Sequence, residues 1–280
     1  MPRVNQISDD IVSVVIPNYN SGPLLKRAVK SVLAQTHINL EILVCDDGSN
    51  DNSFNDLPTY DERLRVFREE ANSGSPASAR NRAACLAEGK WIAFLDSDDV
   101  WYDDKLEKQL NLLNHRKGLA CASNARIVTL GKPRGPYFHS MARQVGPNEL
   151  IRRNSLITSS VVVERQLLLA CLPFPNGGPS IYEDLALWLR VASREPFLLD
   201  EEMLLDYTDH LSGSFKSKYG GHMGNLRTTF KDFKEWMLLN QQHIAYRTKI
   251  EMSVAVAKSV REQVWLATRA FDTWKIERCK

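Results

Sequence analysis

Ile11-Val12-Ser13-Val14-Val15-Ile16, running into Pro17-Asn18-Tyr19-Asn20, is the stretch on which the fold turns. A short, β-branched, nearly continuous apolar run is the signature of a strand covered on both faces, as in a parallel sheet. Leu25, Ala28, Val29, Val32 and Leu33 recur downstream at helical spacing, and Leu40-Glu41-Ile42-Leu43-Val44-Cys45 repeats the buried-strand pattern before Asp46-Asp47-Gly48-Ser49 stops it. This is a β-α-β unit. The alternation continues with a strand near 64–67, a helix over 76–88 and the apolar run Trp91-Ile92-Ala93-Phe94-Leu95, which ends in Asp96-Ser97-Asp98-Asp99. Strands alternating with helices predict an α/β fold built on a doubly wound, mostly parallel sheet flanked by helices.

Beyond Asp99 the pattern loosens. It predicts a helix near 104–113, a strand near 119–128, a loop rich in Gly, Pro and Arg over 131–147 and another strand over 157–163. An amphipathic helix follows over 183–194 with Leu185, Leu187, Trp188 and Val191 inward, then two short segments near 197–199 and 203–205. From about His222 onward proline is absent and two long helices are expected.

Composition bounds the function. A chain of 280 residues, 43% hydrophobic and 25% charged, buries a full core, and its net charge of +2 provides no global field for nucleic acid. Five scattered cysteines (Cys45, Cys85, Cys121, Cys171, Cys279) offer neither a disulfide framework nor a zinc site, which fits a reducing cytoplasm. No run approaches the ~18 consecutive apolar residues of a membrane span, and the first residues lack a secretory pattern. The expectation is a cytoplasmic protein, soluble or peripheral on the membrane.

In doubly wound sheets ligands bind beyond the carboxyl ends of the strands. Three such ends here carry polar clusters. The carboxylates of Asp96, Asp98 and Asp99 repel one another unless a cation or solvent relieves them, and hard oxygen donors suit Mg²⁺ or Mn²⁺. The same aspartates also serve as loop or helix-capping residues, so on their own they leave both readings open. Asp46-Asp47-Gly48-Ser49 is equally a plain turn, or a place where a carboxylate accepts from a base N–H or a ribose hydroxyl. Tyr19 could stack on a nucleobase or merely pack, and Arg80 could meet phosphate or base oxygens or merely be solvated. No Gly-x-Gly-x-x-Gly follows the first strand and no P-loop is present, which disfavours a dinucleotide oxidoreductase. A sugar-phosphate nucleotidyltransferase and a catalytically silent nucleotide-sugar binding module remain as alternatives.

Taken together, Val12–Asn20, Val44-Cys45-Asp46-Asp47-Gly48-Ser49, Asn72-Ser73-Gly74 with Ala79-Arg80-Asn81, and Phe94-Leu95-Asp96-Ser97-Asp98-Asp99 resemble the family-2 inverting glycosyltransferases of the GT-A fold. The resemblance is strong over 10–115 and extends more weakly to about 215 through Glu183-Asp184 and His210. It implies a 1–215 catalytic domain, with a donor-binding half at 10–115 and an acceptor-side half at 116–215, followed by a helical extension at 216–280. It also implies transfer from a nucleotide-diphospho-sugar, UDP-sugar by expectation, to a hydroxyl acceptor that is a saccharide or lipid-linked saccharide, in bacterial polysaccharide or lipopolysaccharide synthesis. In this resemblance Pro17, Tyr19, Asp47, Arg80, Asp96 and Ser97 lie on the donor, Asp47 at uracil and Asp96 at ribose. Asp98 and His210 approach the divalent metal, Mn or Mg, and Asp184 is the catalytic base. On residues alone Asp184 is also an ordinary helix N-terminal carboxylate, and His210 an ordinary surface histidine.

Three features depart from the family pattern: Asp103 where a proline is common, Thr208 and Asp209 where an arginine precedes the late histidine, and the segment Pro173-Phe174-Pro175-Asn176-Gly177-Gly178-Pro179. Thr158-Ser159-Ser160 and Trp101 are expected on the acceptor side. The helices beyond 222 carry Phe230, Trp236, Val260, Val264, Trp265, Phe271 and Trp274 among Lys and Arg, which suits packing on the catalytic domain, a homodimer, or an anionic membrane surface.

Overall fold

A computed structural model describes residues 10–55, 57–176, 182–209, 222–240 and 248–256. The strands are β1 (Val12–Asn18), β2 (Leu40–Asp46), β3 (Leu64–Arg68), β4 (Trp91–Phe94), β5 (Val100–Trp101), β6 (Ala120–Thr129), β7 (Lys132–Pro136), β8 (Gln144–Val145), β9 (Val162–Glu164) and β10 (Phe197–Asp209). The helices are α1 (Pro23–Leu33), α2 (Pro76–Leu86), α3 (Lys105–Arg116), α4 (Pro147–Arg152), α5 (Arg165–Leu169), α6 (Glu183–Arg194) and α7 (His222–Leu239). Residues 248–256 are also helical.

One sheet runs β3-β2-β1-β4-β9-β6-β10-β5, with β7 on β6 and β8 on β10. The ladders β3-β2, β2-β1, β1-β4 and β6-β10 are parallel. β9 runs antiparallel between β4 and β6. The chain leaves β1 toward β2 and β3 on one side and returns to β4 on the other. That reversal opens a crevice beyond the carboxyl ends of β1 and β4, the usual ligand position in such sheets.

All seven residues of β1 are buried because helices cover both faces of the sheet. Val14, Ile16, Ile42 and Val44 pack with Leu25, Val29 and Val32 of α1 and Leu106 of α3 on one face. Val15, Leu43 and Phe94 pack with α2, α6 and α7 on the other. α2 starts at Pro76 behind the N-cap Ser75, whose side chain accepts from the Ala77 amide. Its buried residues are Ala77, Ala79, Ala83, Ala84 and Arg80, so small side chains let the helix lie close to the sheet.

Several expectations need correction. The 131–147 loop holds β7 and β8. Residues 158–160 form a 3₁₀ turn, and only 162–164 is strand. The two short segments after 197 are one strand, β10, with register shifts against β6 near Met203. Helix α6 has the predicted bounds with Leu185, Leu187, Trp188 and Val191 inward, and burial extends to every residue from Leu185 to Ala192 because Phe94 of the sheet packs on one side and α7 on the other. Phe230, Phe233, Trp236 and Met237 of α7 join the core around Trp188. Val260, Val264, Trp265, Phe271 and Trp274 lie outside the described residues.

Candidate active site

The turn after β1 and the turn after β2 are tied into one unit. Asn18 donates from Nδ2 to Asp46 Oδ1 (2.8 Å) and to Ser49 Oγ (3.1 Å), and Ser49 Oγ donates to the same Asp46 oxygen at 2.5 Å. Asp46 is therefore a buried brace for the rim. Asp47, also buried, turns the other way and accepts from both the amide (3.1 Å) and the hydroxyl (2.9 Å) of Ser73, holding the 72–75 loop against β2. Gly48 sits at φ +76° with its missing Cβ position only 2.7 Å from the backbone of Ala71 and Asn72, a close approach that any side chain would prevent.

The acidic turn after β4 faces this unit. Ser97 shares a 2.6 Å hydrogen bond with Ser21 from the loop after β1. The Asp99 amide donates to the Asp96 carbonyl at 3.1 Å, closing the turn. Asp99 is fully buried, accepting from Ser159 Oγ (2.5 Å) and the Thr208 amide (2.8 Å). Burial, and then the charges of Asp98 and Asp96, push its carboxyl well above the ordinary carboxylate range, against those two hydrogen bonds. Thr208 Oγ1 donates to the Asp98 carbonyl at 2.6 Å, so the end of β10 is sewn to the acidic turn twice.

Arg80 links this turn to α6. Its guanidinium donates to Asp96 Oδ1 at 2.6 Å and to Glu183 Oε1 at 3.3 Å, and lies over the Phe174 ring with its carbon 5.6 Å from the centroid. Burial opposes the charge, but Asp96 and Glu183 outweigh it and hold the arginine protonated. Glu183 is raised by burial and by the neighbouring Asp184, and Arg80 pulls it back. Asp184, half-buried in the first turn of α6, accepts from the Leu185 amide at 2.7 Å.

The structure thus gathers Asp96, Ser97, Asp98, Arg80 and Asp184 around one rim, with Asp47 on the adjoining turn. Pro17 is buried within β1, whereas Tyr19 stands 48% exposed at its end. His210 lies outside the described residues. Arg80, far from being a solvated helix charge, is nearly inaccessible. The expectation for Ser159 and Trp101 is overturned. Both are buried, Trp101 donating its indole N–H to the Ser159 carbonyl at 2.8 Å, so they support the acidic turn from beneath rather than face an acceptor. Three contributors receive no site role from the sequence: Glu183, Ser73 and Thr208. Only Glu183 carried a signal, as a second acid beside Asp184.

Carboxylate oxygens at the rim are hard donors, yet among the described residues no three acidic, histidine or cysteine side chains converge on a point. Such a set fits an ion that takes one or two protein carboxylates and completes its shell with substrate phosphates and water. Beneath the site Lys105 is fully buried, donating to Gln109 Oε1 at 2.5 Å and lying 3.9 Å from the Trp101 ring centroid. Burial pushes its amine down to about 7.

A doubly wound sheet whose switch point is ringed by carboxylates, with a further carboxylate-bearing helix facing them, defines a GT-A-type α/β protein. The family model described as Glycosyl transferase family 2 matches residues 13–163, more than half the chain. Among curated proteins, the Escherichia coli UDP-Glc:alpha-D-GlcNAc-diphosphoundecaprenol beta-1,3-glucosyltransferase WfgD is 34% identical over 187 residues, covering 66% of this chain and 71% of that protein. The putative teichuronic acid biosynthesis glycosyltransferase TuaG of Bacillus subtilis is 35% identical over 191 residues, covering 66% of this chain and 73% of the relative. Among solved structures, residues 1–349 of S. aureus TarS in complex with UDP-GlcNAc superpose with a TM-score of 0.71 at 20% identity, over 88% of this chain and 70% of that one, a likeness of fold. The chain belongs to glycosyl transferase family 2 and is a glycosyltransferase.

Proposed function

We propose that this glycosyltransferase moves a sugar from a UDP-sugar to a hydroxyl of a saccharide or lipid-linked saccharide, with inversion at the anomeric carbon, in bacterial polysaccharide or lipopolysaccharide synthesis. The observation that carries the reading is the Arg80 bridge, which ties Asp96 on the donor rim to Glu183 beside Asp184. Donor turn and candidate base are thereby held as one unit. Names of relatives support the substrate class: WfgD acts with UDP-Glc on a diphosphoundecaprenol-linked GlcNAc, and TarS has been crystallised with UDP-GlcNAc.

In this reading Asp47 takes the uracil edge with the acceptor capacity that Ser73 leaves, Asp96 takes a ribose hydroxyl, and Tyr19 stands where a base can stack. Pro17 is the penultimate residue of β1, just ahead of this turn, and Ser97, tied to Ser21, keeps the acidic turn in register. Asp98, with His210 as a further candidate, would hold Mn²⁺ or Mg²⁺, an ion that when bound neutralises charge on the departing diphosphate. Asp184 accepts the proton of the acceptor hydroxyl as its oxygen bonds to the anomeric carbon and the bond to the diphosphate breaks. The Leu185 amide holds that carboxylate in the first turn of α6, and Arg80 holds the neighbouring Glu183.

Calorimetry of the wild type and Asp98→Ala with UDP, with and without Mn²⁺, tests the donor half. Metal-dependent UDP binding lost in Asp98→Ala is the expected result. Metal-independent binding, or none, would remove the metal assignment and return a silent binding module to consideration. The stereochemical claim is read separately, from the anomeric configuration of the product by NMR.

A further inference from the structure

Helix α6 carries Glu183 and Asp184 in its first turn but begins without a cap of its own. Its N-cap is Tyr182, and no side-chain cap hydrogen bond forms there, because capping is the work of short oxygen-bearing side chains such as Ser, Thr, Asp and Asn. The backbone N–H of Tyr182 instead donates to Thr229 Oγ1, on α7, at 3.0 Å. Thr229 donates in turn to the Asn225 carbonyl one turn back, at 2.6 Å, so both capacities of the hydroxyl are used. Thr229 is fully buried, and the Asn225 side chain also bonds the Tyr182 phenol.

Further along, α7 is clamped to α6 by Asp232, which accepts from Arg190 at 2.6 Å. The same guanidinium reaches the carbonyls of Cys171 (3.1 Å) and Pro173 (2.7 Å) and lies 5.8 Å from the Trp236 ring centroid. α7 therefore grips α6 in its second half, at Arg190, and at its N-cap, Tyr182. All of α7 lies outside the residues that match the family model.

We infer that Thr229 is a positioning residue for sugar transfer: through Tyr182 it fixes the direction in which α6 presents Asp184 to the acceptor hydroxyl. The inference rests on Asp184 being the base. Proton transfer in the transition state requires hydrogen-bond geometry, and a misplacement of about 1 Å costs on the order of 10²-fold in rate, whereas donor binding on the opposite rim is untouched.

The test compares the full-length wild type, Thr229→Val, Thr229→Ser and Asp184→Asn, measuring UDP release from UDP-glucose and UDP-GlcNAc with Mn²⁺ present, alongside calorimetric UDP affinity. Thr229→Val keeps the shape and deletes both hydrogen bonds. Its kcat should fall roughly tenfold or more while KM and UDP affinity stay within about twofold, and Thr229→Ser should restore kcat. A Thr229→Val enzyme with wild-type kcat beside an inactive Asp184→Asn would overturn the positioning role and leave the base assignment standing. Wild-type turnover in Asp184→Asn would sink the base assignment and this inference with it. Should Thr229→Val lose UDP binding and hence its fold, Thr229→Ala, which deletes the same hydroxyl without leaving a methyl against the Tyr182 N–H, is read on the same two axes: a lower kcat at constant KM supports the role, and an unchanged kcat refutes it.

Discussion

From β1 to the acidic turn, the rim aspartates sit at or just beyond the end of the strand that delivers them: Asp46 and Asp47 at the end of β2, Asp96 to Asp99 just after β4. On the far side of β9, Glu183 and Asp184 ride on a helix, and Thr208 sits at the end of a thirteen-residue strand. In the first arrangement the corner after β2 is held by a neighbouring loop, as Ser73 holds Asp47, while the acidic turn is also tied to Ser159 and Thr208. The second depends on partners distant in the chain, Arg80 for Glu183 and Thr229 for the start of α6. Local delivery makes the corner after β2 self-contained, whereas the acidic turn and the start of α6 inherit their geometry from the rest of the molecule.

The sharpest way to break that contrast is Arg80→Ala. The guanidinium is shared between the two sides, and removing it leaves Asp96 and the largely buried Glu183 without their common counter-charge. Truncating one partner of a buried ion pair should cost about 3 kcal/mol in urea unfolding, with donor turnover abolished. A loss below ~1 kcal/mol would mean that each side stands without the other.

Lys105→Met probes the floor beneath the acidic turn and carries a pH signature. With its amine held at about 7 in the folded protein against 10.5 ordinarily, the unfolded chain binds a proton that the folded chain does not across pH 7–10. Stability attributable to this lysine therefore rises with pH and is poorest near 7 and below. The Met variant should gain on the wild type most at pH 7, with the advantage shrinking by pH 10 by roughly 3 kcal/mol, measured by denaturation at both pH values. A pH-independent difference would show that the amine stays charged over Trp101.

Ser73→Ala should have the smallest effect. It removes the 2.9 Å hydroxyl bond to Asp47 but keeps the backbone one, costing about 1 kcal/mol in thermal unfolding and leaving UDP binding in place. A loss of UDP affinity far exceeding that stability change would show that the donor turn is less self-contained than its short connections suggest.

The same contrast explains what could be read from the chain. β1, β2 and β4 are apolar runs that end abruptly in polar residues, so strand, turn and rim position are written in consecutive letters, and α6 was visible from its periodicity with the bounds it has. β10 was not visible as one strand. Asp200, Glu201 and Glu202 interrupt its apolar pattern where the ladder shifts register, and only pairing with β6 makes it continuous. β7 carries two prolines and a glycine, a composition tolerated because β6 alone pairs with it. Ser159 and Trp101 were misplaced because a serine cluster and a tryptophan look the same in sequence whether they face a ligand or support the residues that do. Burial decided the matter.

β9 has a mechanical consequence. Only three residues long, it is laddered to β4 on one side and to β6 on the other, so the sheet continues unbroken across the boundary between donor and acceptor sides. Hinged enzymes close by rotating two bodies about a flexible connection. Parting the two sides here would mean tearing backbone hydrogen bonds out of the centre of a sheet, where amide exchange is slowest. Adjustment to a bound sugar nucleotide must fall to the turns along the rim, over a floor that does not bend.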